Sequence, residues 1–272
     1  MNRGKNVSRI GLIAGNGRFP LFFADSARRD GHQVIAVAIQ EETSPDLENL
    51  VEQIHWLNVG ELQAIIDTFL TRGIDRIVMA GKITKTRMFN QLKPDARLRR
   101  VFEKTPIRND DALLKTLADE FIAEGIHVCD STTFLADLLP EKGNLTKRVP
   151  TKDENLDIQY GYDLAKQIAG MDIGMTVVVK NCAILAVEAI EGTDETILRG
   201  GRLGNGGVTV VKVARPQQDM RFDLPVVGVD TIRTLIQAEA GCLAIEEKKT
   251  LLLDRREVVA MADRANLAIV VL

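Results

Sequence analysis

The sequence predicts an α/β protein of two domains, with a parallel sheet in the first and a mixed α+β arrangement in the second. In the first half, short apolar runs alternate with amphipathic stretches of helical length, which is typical of strands joined by helical crossovers. In the second half, paired apolar runs indicate hairpins among helices. A polar, turn-rich segment separates the halves. We therefore predict a Rossmann-like domain over 1–137, a linker over 138–158 and a C-terminal catalytic α+β domain over 159–272.

The first half supplies its elements in strand–helix order. The helices are marked by Pro20, which suits a first helical turn, and by Gly31, Gly73 and Gly125, which end helical patterns. The predicted strands cover 9–15, 32–40, 54–59, 76–81 and 126–131, and the predicted helices cover 19–31, 61–73 and 111–125.

The second half begins with a helical stretch, IQYGYDLAKQIAGMDIG, and continues into two strands around a Lys-Asn turn, MTVVVKNCAILAV. Further strands are predicted at 207–214, 248–254 and 267–272, with helices at 230–241 and 254–266 between them. This order differs from the strand–helix repeat of the first half, so the two halves are predicted as separate domains.

Composition disfavours several classes of protein, namely non-specific nucleic-acid-binding, disulfide-rich, zinc-binding and membrane-spanning proteins. The net charge is −3, from 35 basic and 38 acidic residues, so the chain lacks the basic excess of a non-specific nucleic-acid-binding protein. Three widely spaced cysteines form neither a disulfide framework nor a zinc pattern. No apolar leader or run of membrane-spanning length is visible, and we expect a soluble cytoplasmic protein.

The stretch IGLIAGNGRFP predicts a strand, a glycine turn and a helix. Asn16 and Gly17 lie in that turn, where helix N-terminal amides favour an anion such as phosphate. A dinucleotide fingerprint requires a third glycine where Pro20 stands, which disfavours NAD binding. A tight turn without a ligand remains an alternative. Lys82, after a second buried strand and glycine, is a candidate phosphate contact at the same sheet edge, or a solvated loop lysine.

Other polar clusters carry candidate chemistry. Asn109, Asp110 and Asp111 begin a predicted helix, where capping explains them as well as a site does. Acids also gather around a Gly-Thr turn, at Glu188, Glu191 and Asp194. The segment VKVARPQQDMRFDLPVVG mixes cations with carboxylates, which suits a divalent metal beside phosphate oxygens or a surface salt-bridge cluster. Its charged residues are Lys212, Arg215, Asp219, Arg221 and Asp223. Any metal held by such oxygen ligands should be Mg²⁺ or Mn²⁺ rather than Zn²⁺.

Read together, these motifs resemble the LpxI family of UDP-2,3-diacylglucosamine pyrophosphatases. The resemblance rests on IGLIAGNGRFP, AGKI, NDDALL, QYGYDLA, AVEAIEGTD and KVARPQQDMRFDLPVVG, which occur in this order along nearly the whole chain. It implies metal-dependent hydrolysis, in lipid A biosynthesis, of UDP-2,3-diacylglucosamine to UMP and 2,3-diacylglucosamine 1-phosphate (lipid X). It also implies that the lipid lies between the two domains, and it makes a homodimer plausible.

The resemblance assigns roles to residues of this sequence. It implies that Asp223 and Asp219 are catalytic, with Asp223 as metal ligand or base. The implied substrate-binding residues are Asn16, Gly17, Lys82, Lys212, Gln218, Arg221, Glu191, Thr193 and Asp194. Arg215 precedes a proline where the family often has lysine, which preserves charge but changes contact geometry. A UDP-linked diacylated sugar is the expected partner, and a peripheral contact with the inner membrane is left open.

Two other functions remain alternatives at the level of sequence. A non-catalytic protein that binds a nucleotide sugar or a lipid phosphate could retain the glycines and cations, but would not require Asp223 or a metal. A nucleotide-sugar dehydrogenase or transferase could use the Rossmann-like half. The missing third glycine disfavours the dehydrogenase.

Overall fold

The computed structural model describes residues 8–83, 93–105 and 110–272. By its contacts the chain divides into two compact units. Unit 1 comprises Met1–Ala136 and the short segment Asp219–Asp223; unit 2 comprises Asp137–Gln218 and Leu224–Leu272. The predicted layout, an N-terminal parallel-sheet domain and a separate C-terminal sheet domain, is confirmed. Asn109 lies outside the described residues.

Unit 1 contains a five-stranded parallel sheet in the order β3-β2-β1-β4-β5. Its strands are β1 Arg9–Ala14, β2 Gln33–Ile39, β3 Gln53–Leu57, β4 Arg76–Ala80 and β5 His127–Val128. Its helices are α1 Phe19–Arg29, α2 Leu62–Leu70, α3 Ala96–Lys104 and α4 Asp110–Ala123, with a 3-10 turn at Pro45–Asn49. Strand β2 is buried along almost its whole length, as expected for an inner parallel strand covered by helices.

Helix α3 is a difference from the sequence prediction. Asp95 caps it by accepting a hydrogen bond from Leu98 N at 2.8 Å. The buried face of this helix is not recognisable from its composition, because it includes a charged residue. Arg97 is 6% exposed and forms a 2.8 Å ion pair with Glu120 of α4. A buried arginine therefore occupies a position where helical periodicity requires an apolar residue.

Unit 2 contains a six-stranded mixed sheet in the order β6-β13-β11-β9-β7-β8, in which β9, β11 and β13 are parallel. The strands of unit 2 are β6 Gly143–Asn144, β7 Thr176–Lys180, β8 Ala183–Val187, β9 Thr209–Lys212, β10 Val226–Val227, β11 Cys242–Ile245, β12 Leu251–Leu252 and β13 Ala268–Val271. Its helices are α5 Lys152–Gly170, α6 Thr193–Gly204, α7 Val229–Gln237 and α8 Arg255–Arg264. A 3-10 turn at Ala136–Leu138 begins at the last residue of Met1–Ala136 and continues into unit 2. Strands β10 and β12 form a separate parallel pair.

Alternating side chains of the unit 2 strands face two different cores. Val178, Val210 and Leu243 belong to the core that includes residues of α6, α7 and α8. Val177 and Val211 belong to the core that includes residues of α5. The period of two along each strand therefore produces a sheet covered by helices on both faces.

The segment predicted as a linker, 138–158, is structured and belongs to unit 2. Strand β6 pairs antiparallel with β13, and α5 begins at Lys152. The helix start is set by a capping box, in which the Thr151 side chain accepts from Glu154 N and Glu154 accepts from Thr151 N. The Thr-x-x-Glu spacing is visible in the sequence, so this boundary was predictable.

Among the described residues, none of the helices is long and apolar enough to cross a membrane.

Candidate active site

Two glycine turns meet at the carboxyl ends of β1 and β4. Asn16 N donates to the Lys82 carbonyl at 2.7 Å, and Lys82 N donates to the Asn16 carbonyl at 3.0 Å. The close approach of the two backbones requires glycine in both turns. A Cβ atom on Gly15 would collide with the Lys82 carbonyl, and one on Gly81, whose φ is +94°, would lie 2.7 Å from the Asn16 carbonyl. The two predicted phosphate loops are thus held side by side.

Helix α1 begins directly after the first of these turns. Gly17 has a φ of +94°, and the backbone then enters the helix at Phe19 without a side-chain cap. Asn16 and Gly17 are exposed. The positive end of a helix and its N-terminal amides favour an anion, so this turn offers the electrostatics that phosphate requires.

The segment Asp219–Asp223 carries the two predicted catalytic acids and is part of unit 1. Phe222 anchors it, since its side chain is 4% exposed and belongs to the unit 1 core. Asp223 follows with an exposed side chain and a left-handed backbone, with φ at +51°. A non-glycine residue in this region carries a conformational cost, which is common where a side chain must be presented in one direction.

Asp219 and Arg221 form a bidentate ion pair inside this segment. The Arg221 Nη2 and Nε atoms lie 2.7 Å and 3.0 Å from Oδ2 and Oδ1 of Asp219, and Arg221 N also donates to Oδ1 at 3.0 Å. Hydrogen bonds from Arg221, against an opposing effect of burial, lower the pKa of Asp219. The carboxylate is therefore ionised at neutral pH and is a weak proton acceptor.

In unit 2, a buried polar network surrounds Lys212 at the end of β9. Lys212 is 4% exposed, and its Nζ atom donates to Thr193 Oγ1 at 2.9 Å and to Thr176 Oγ1 at 3.2 Å. Thr193 in turn donates to Glu188 Oε1 at 2.8 Å. Burial disfavours the charged form of Glu188, but the Lys212 ammonium and neighbouring hydrogen bonds outweigh it and lower the pKa of this carboxyl. The network holds a compensated charge pair beneath the first residue of α6.

The remaining predicted residues of unit 2 also form hydrogen bonds. Glu191 accepts from Arg199 Nη2 at 2.5 Å, and Asp194 accepts from Thr234 Oγ1 at 3.3 Å. Gln218 Oε1 accepts from the backbone N–H of Arg215 at 3.2 Å. These contacts orient the side chains, and they leave the assigned roles of Glu191, Asp194 and Gln218 in substrate binding as predictions.

The acids of the described segments do not form a preassembled metal cage. No group of three or more His, Cys, Asp or Glu residues with metal-binding geometry occurs in the parts of the chain that the structure describes. Asp219 and Asp223 supply two carboxylates within five residues. Such a donor set fits Mg²⁺ or Mn²⁺ held by one or two carboxylates together with water and substrate phosphate.

The structure therefore sorts the predicted residues by unit. Unit 1 carries Asn16, Gly17, Lys82, Asp219, Arg221 and Asp223, whereas unit 2 carries Lys212, Gln218, Glu191, Thr193 and Asp194. Sequence reasoning assigned no role to Thr176, Ser131 or Phe222, and did not single out Glu188 from its acidic neighbours. These residues contact the candidate site through pairings between distant parts of the chain, and no local sequence pattern indicates such pairings.

Comparison with solved structures gives only distant likeness. The chain is 14% identical to a biotin carboxylase domain of 2-oxoglutarate carboxylase from Hydrogenobacter thermophilus, with a TM-score of 0.30 over 72% of this chain and 41% of that one. It is 16% identical to N5-carboxyaminoimidazole synthetase from Staphylococcus aureus, with a TM-score of 0.28 over 75% and 46%. The chain thus spans less than half of these structures, and such low scores carry no functional argument.

Comparison of the sequence with protein families and with known proteins identifies matches along nearly the whole chain. The model of the LpxI N-terminal domain matches residues 9–138, and the model of the LpxI C-terminal domain matches residues 141–270. The chain is also 30% identical to the UDP-2,3-diacylglucosamine pyrophosphatase LpxI of Caulobacter vibrioides, over 96% of both chains. Both halves and their order agree, and the chain belongs to the LpxI family.

Proposed function

We propose that this chain hydrolyses the pyrophosphate bond of UDP-2,3-diacylglucosamine, releasing UMP and 2,3-diacylglucosamine 1-phosphate in lipid A biosynthesis. The observation that carries the proposal is the match over 96% of the chain to a relative of that name, with both family domains in order. The glycine turns at a helix N-terminus and the acid-rich Asp219–Asp223 segment support it, because a pyrophosphate hydrolase requires anion binding and a means to activate water.

Within this reaction, Asp223 and Asp219 are assigned different tasks. Asp223 is exposed on a left-handed backbone and is the proposed acid that orients or deprotonates the attacking water. Asp219 is bound to Arg221 through both carboxylate oxygens, and its lowered pKa makes it a poor base. Its proposed task is to aim the Arg221 guanidinium and to contribute negative charge to a metal site.

Activity is proposed to depend on Mg²⁺ or Mn²⁺. Asp223, together with Asp219, would hold the ion through oxygen ligands. The bound ion would supply charge neutralisation of the pyrophosphate and a lower pKa for water.

The substrate contacts are proposed on both units. Asn16, Gly17 and Lys82 would receive phosphate oxygens in unit 1, where Arg221 is a further polar contact. Gln218, in unit 2, is also proposed as a polar contact. In unit 2, Lys212 is buried and bonded to Thr193, so we propose that it acts on the substrate through the position of that hydroxyl. Glu191 and Asp194 would accept hydrogen bonds from sugar or ribose hydroxyls, since carboxylates repel phosphate.

The test measures UMP release from UDP-2,3-diacylglucosamine by wild type and by Asp223→Ala, with Mg²⁺, Mn²⁺ or EDTA. Asp230→Ala is the matched control, because Asp230 is an exposed acid that forms an ion pair with Arg233 on the same helix. We expect metal-dependent release that is lost in Asp223→Ala and retained in Asp230→Ala. Substrate binding by folded wild type without UMP release would instead establish a non-catalytic binding protein.

A homodimer that works in the cytoplasm and contacts the inner membrane peripherally is proposed as the working form. A substrate with two acyl chains resides in or near a bilayer, which supports the membrane contact. Light scattering on the purified protein tests the dimer. Sedimentation with anionic and neutral vesicles, with and without substrate, tests the contact.

A further inference from the structure

The segment Asp219–Asp223 is an isolated contribution to unit 1. Its neighbours on both sides, Gln218 and Leu224, belong to unit 2. The segment itself has no helix or strand, so no ladder of backbone hydrogen bonds fixes its position. The two predicted catalytic acids therefore depend on tertiary contacts, and not on a regular element, for their placement.

Ser131 provides the polar part of that placement. Its backbone N–H donates to the Met220 carbonyl at 2.8 Å, and its hydroxyl lies 2.5 Å from the Arg221 carbonyl. The same hydroxyl lies 2.9 Å from the carbonyl of Met79 in β4. Ser131 is only 1% exposed, and water cannot readily replace these contacts.

The position of Ser131 in the chain explains why it can reach both partners. It follows β5, which pairs with β4, and Cys129 N donates to the Ile77 carbonyl at 2.8 Å to continue that pairing. Met79 is three residues before Lys82, on the strand that ends in the second glycine turn. One buried hydroxyl thus contacts both β4, the strand that leads to Lys82, and the acid-bearing segment.

We propose that Ser131 is a positioning residue for hydrolysis, one that sets the location of Asp219 and Asp223 relative to the end of β4 without touching the substrate. The carbonyls that it holds belong to the two residues between Asp219 and Phe222. Phe222 supplies the apolar anchor, and Ser131 fixes the direction of the backbone. This inference rests on the proposed pyrophosphatase function.

The test compares Ser131→Ala with Thr133→Val in the full-length protein. Thr133 lies in the same loop, but its hydroxyl donates to Asp130 within the loop, at 2.5 Å. For Ser131→Ala we expect kcat to fall roughly 10- to 100-fold, since misplacement of a reacting group by about 1 Å costs rate on this scale. KM should change by less than kcat, because Arg221 is the one predicted substrate-binding residue in the segment that Ser131 holds. Thr133→Val should keep both constants within about twofold of wild type.

Amide hydrogen exchange provides a readout of the segment itself. Exchange in a peptide covering residues 219–223 should accelerate in Ser131→Ala and remain unchanged in Thr133→Val. Faster exchange with unaltered kcat would reduce Ser131 to a structural role and overturn the inference. Equal kcat and equal exchange in all three proteins would overturn it as well, while leaving hydrolysis intact. Absence of UMP release by wild type would overturn the proposed function and, with it, this inference.

Discussion

The buried pair of Glu188 and Lys212 provides the sharpest test of the electrostatics of unit 2. Glu188→Gln removes the negative charge but retains an oxygen that can accept from Thr193, whose hydroxyl is 2.8 Å from Oε1. It also places an amide donor or a neutral oxygen where Oε2 now accepts from Met175 N at 3.2 Å. The buried Lys212 ammonium then loses the favourable electrostatic interaction with the Glu188 carboxylate.

The expected loss is about 1–3 kcal/mol in the free energy of unfolding, the range for weakening a charged hydrogen-bond network in a buried site. The matched control, Glu195→Gln, removes an exposed carboxylate from the first turn of α6 and should cost no more than about 1 kcal/mol through the helix dipole. The double variant Glu188→Gln/Lys212→Met removes both charges and should be more stable than Glu188→Gln alone.

Urea unfolding followed by fluorescence measures these differences. Tyr160 and Tyr162, the two tyrosines of the chain, lie in unit 2 and report its unfolding, whereas Trp56 reports unit 1. A loss below about 1 kcal/mol in Glu188→Gln, or strict additivity in the double variant, would refute the buried-pair reasoning.

The pH dependence follows from the lowered pKa of Glu188 in the folded protein. A carboxyl whose pKa is lower when folded binds more protons when unfolded, so its contribution is complete above its ordinary value near 4.5. That contribution is lost as the pH falls through the lower folded-state value. The stability difference between wild type and Glu188→Gln should therefore be constant at neutral pH and shrink upon acidification.

Three further variants test the candidate active site. Phe222→Ala should destabilise unit 1 by about 3–5 kcal/mol, measured through Trp56, because it empties a core position that is 4% exposed; a smaller loss would show that the segment is not anchored there. Asp223→Gly should abolish UMP release, and relief of the left-handed backbone at this residue should offset the entropy cost of glycine; retained activity would exclude a catalytic Asp223. Gly81→Ala should lower the free energy of unfolding by at least about 1–2 kcal/mol, because the residue has a φ of +94° and its Cβ would crowd the Asn16 carbonyl. It should also weaken nucleotide binding measured by calorimetry. Unchanged stability and binding would show that the two glycine turns can move apart.

Local patterns were sufficient for much of the fold. Strands β1, β2 and β4 and helices α1, α2 and α4 followed from apolar period, Pro20 and terminal glycines. The start of α5 was also encoded, since Thr151 and Glu154 form a capping box. Helix α3 was not predicted, because an arginine in a sequence is normally taken as a surface residue. Arg97 is buried since it pairs with Glu120 of another helix, which the sequence does not show.

The features of the candidate site also fall into those that the sequence predicts and those that depend on tertiary structure. The sequence by itself determined the family and the two glycine turns, because these depend on contiguous motifs with local backbone requirements. The catalytic roles of Asp219 and Asp223 are predictions from the same kind of motif. Only the tertiary structure decided that Asp219–Asp223 belongs to unit 1, that Ser131 holds it, and that Lys212 is buried against Thr176 and Thr193. Those facts join residues up to 90 positions apart. Such pairings are selected by the burial and hydrogen bonding of the whole unit, and not by any period along the chain.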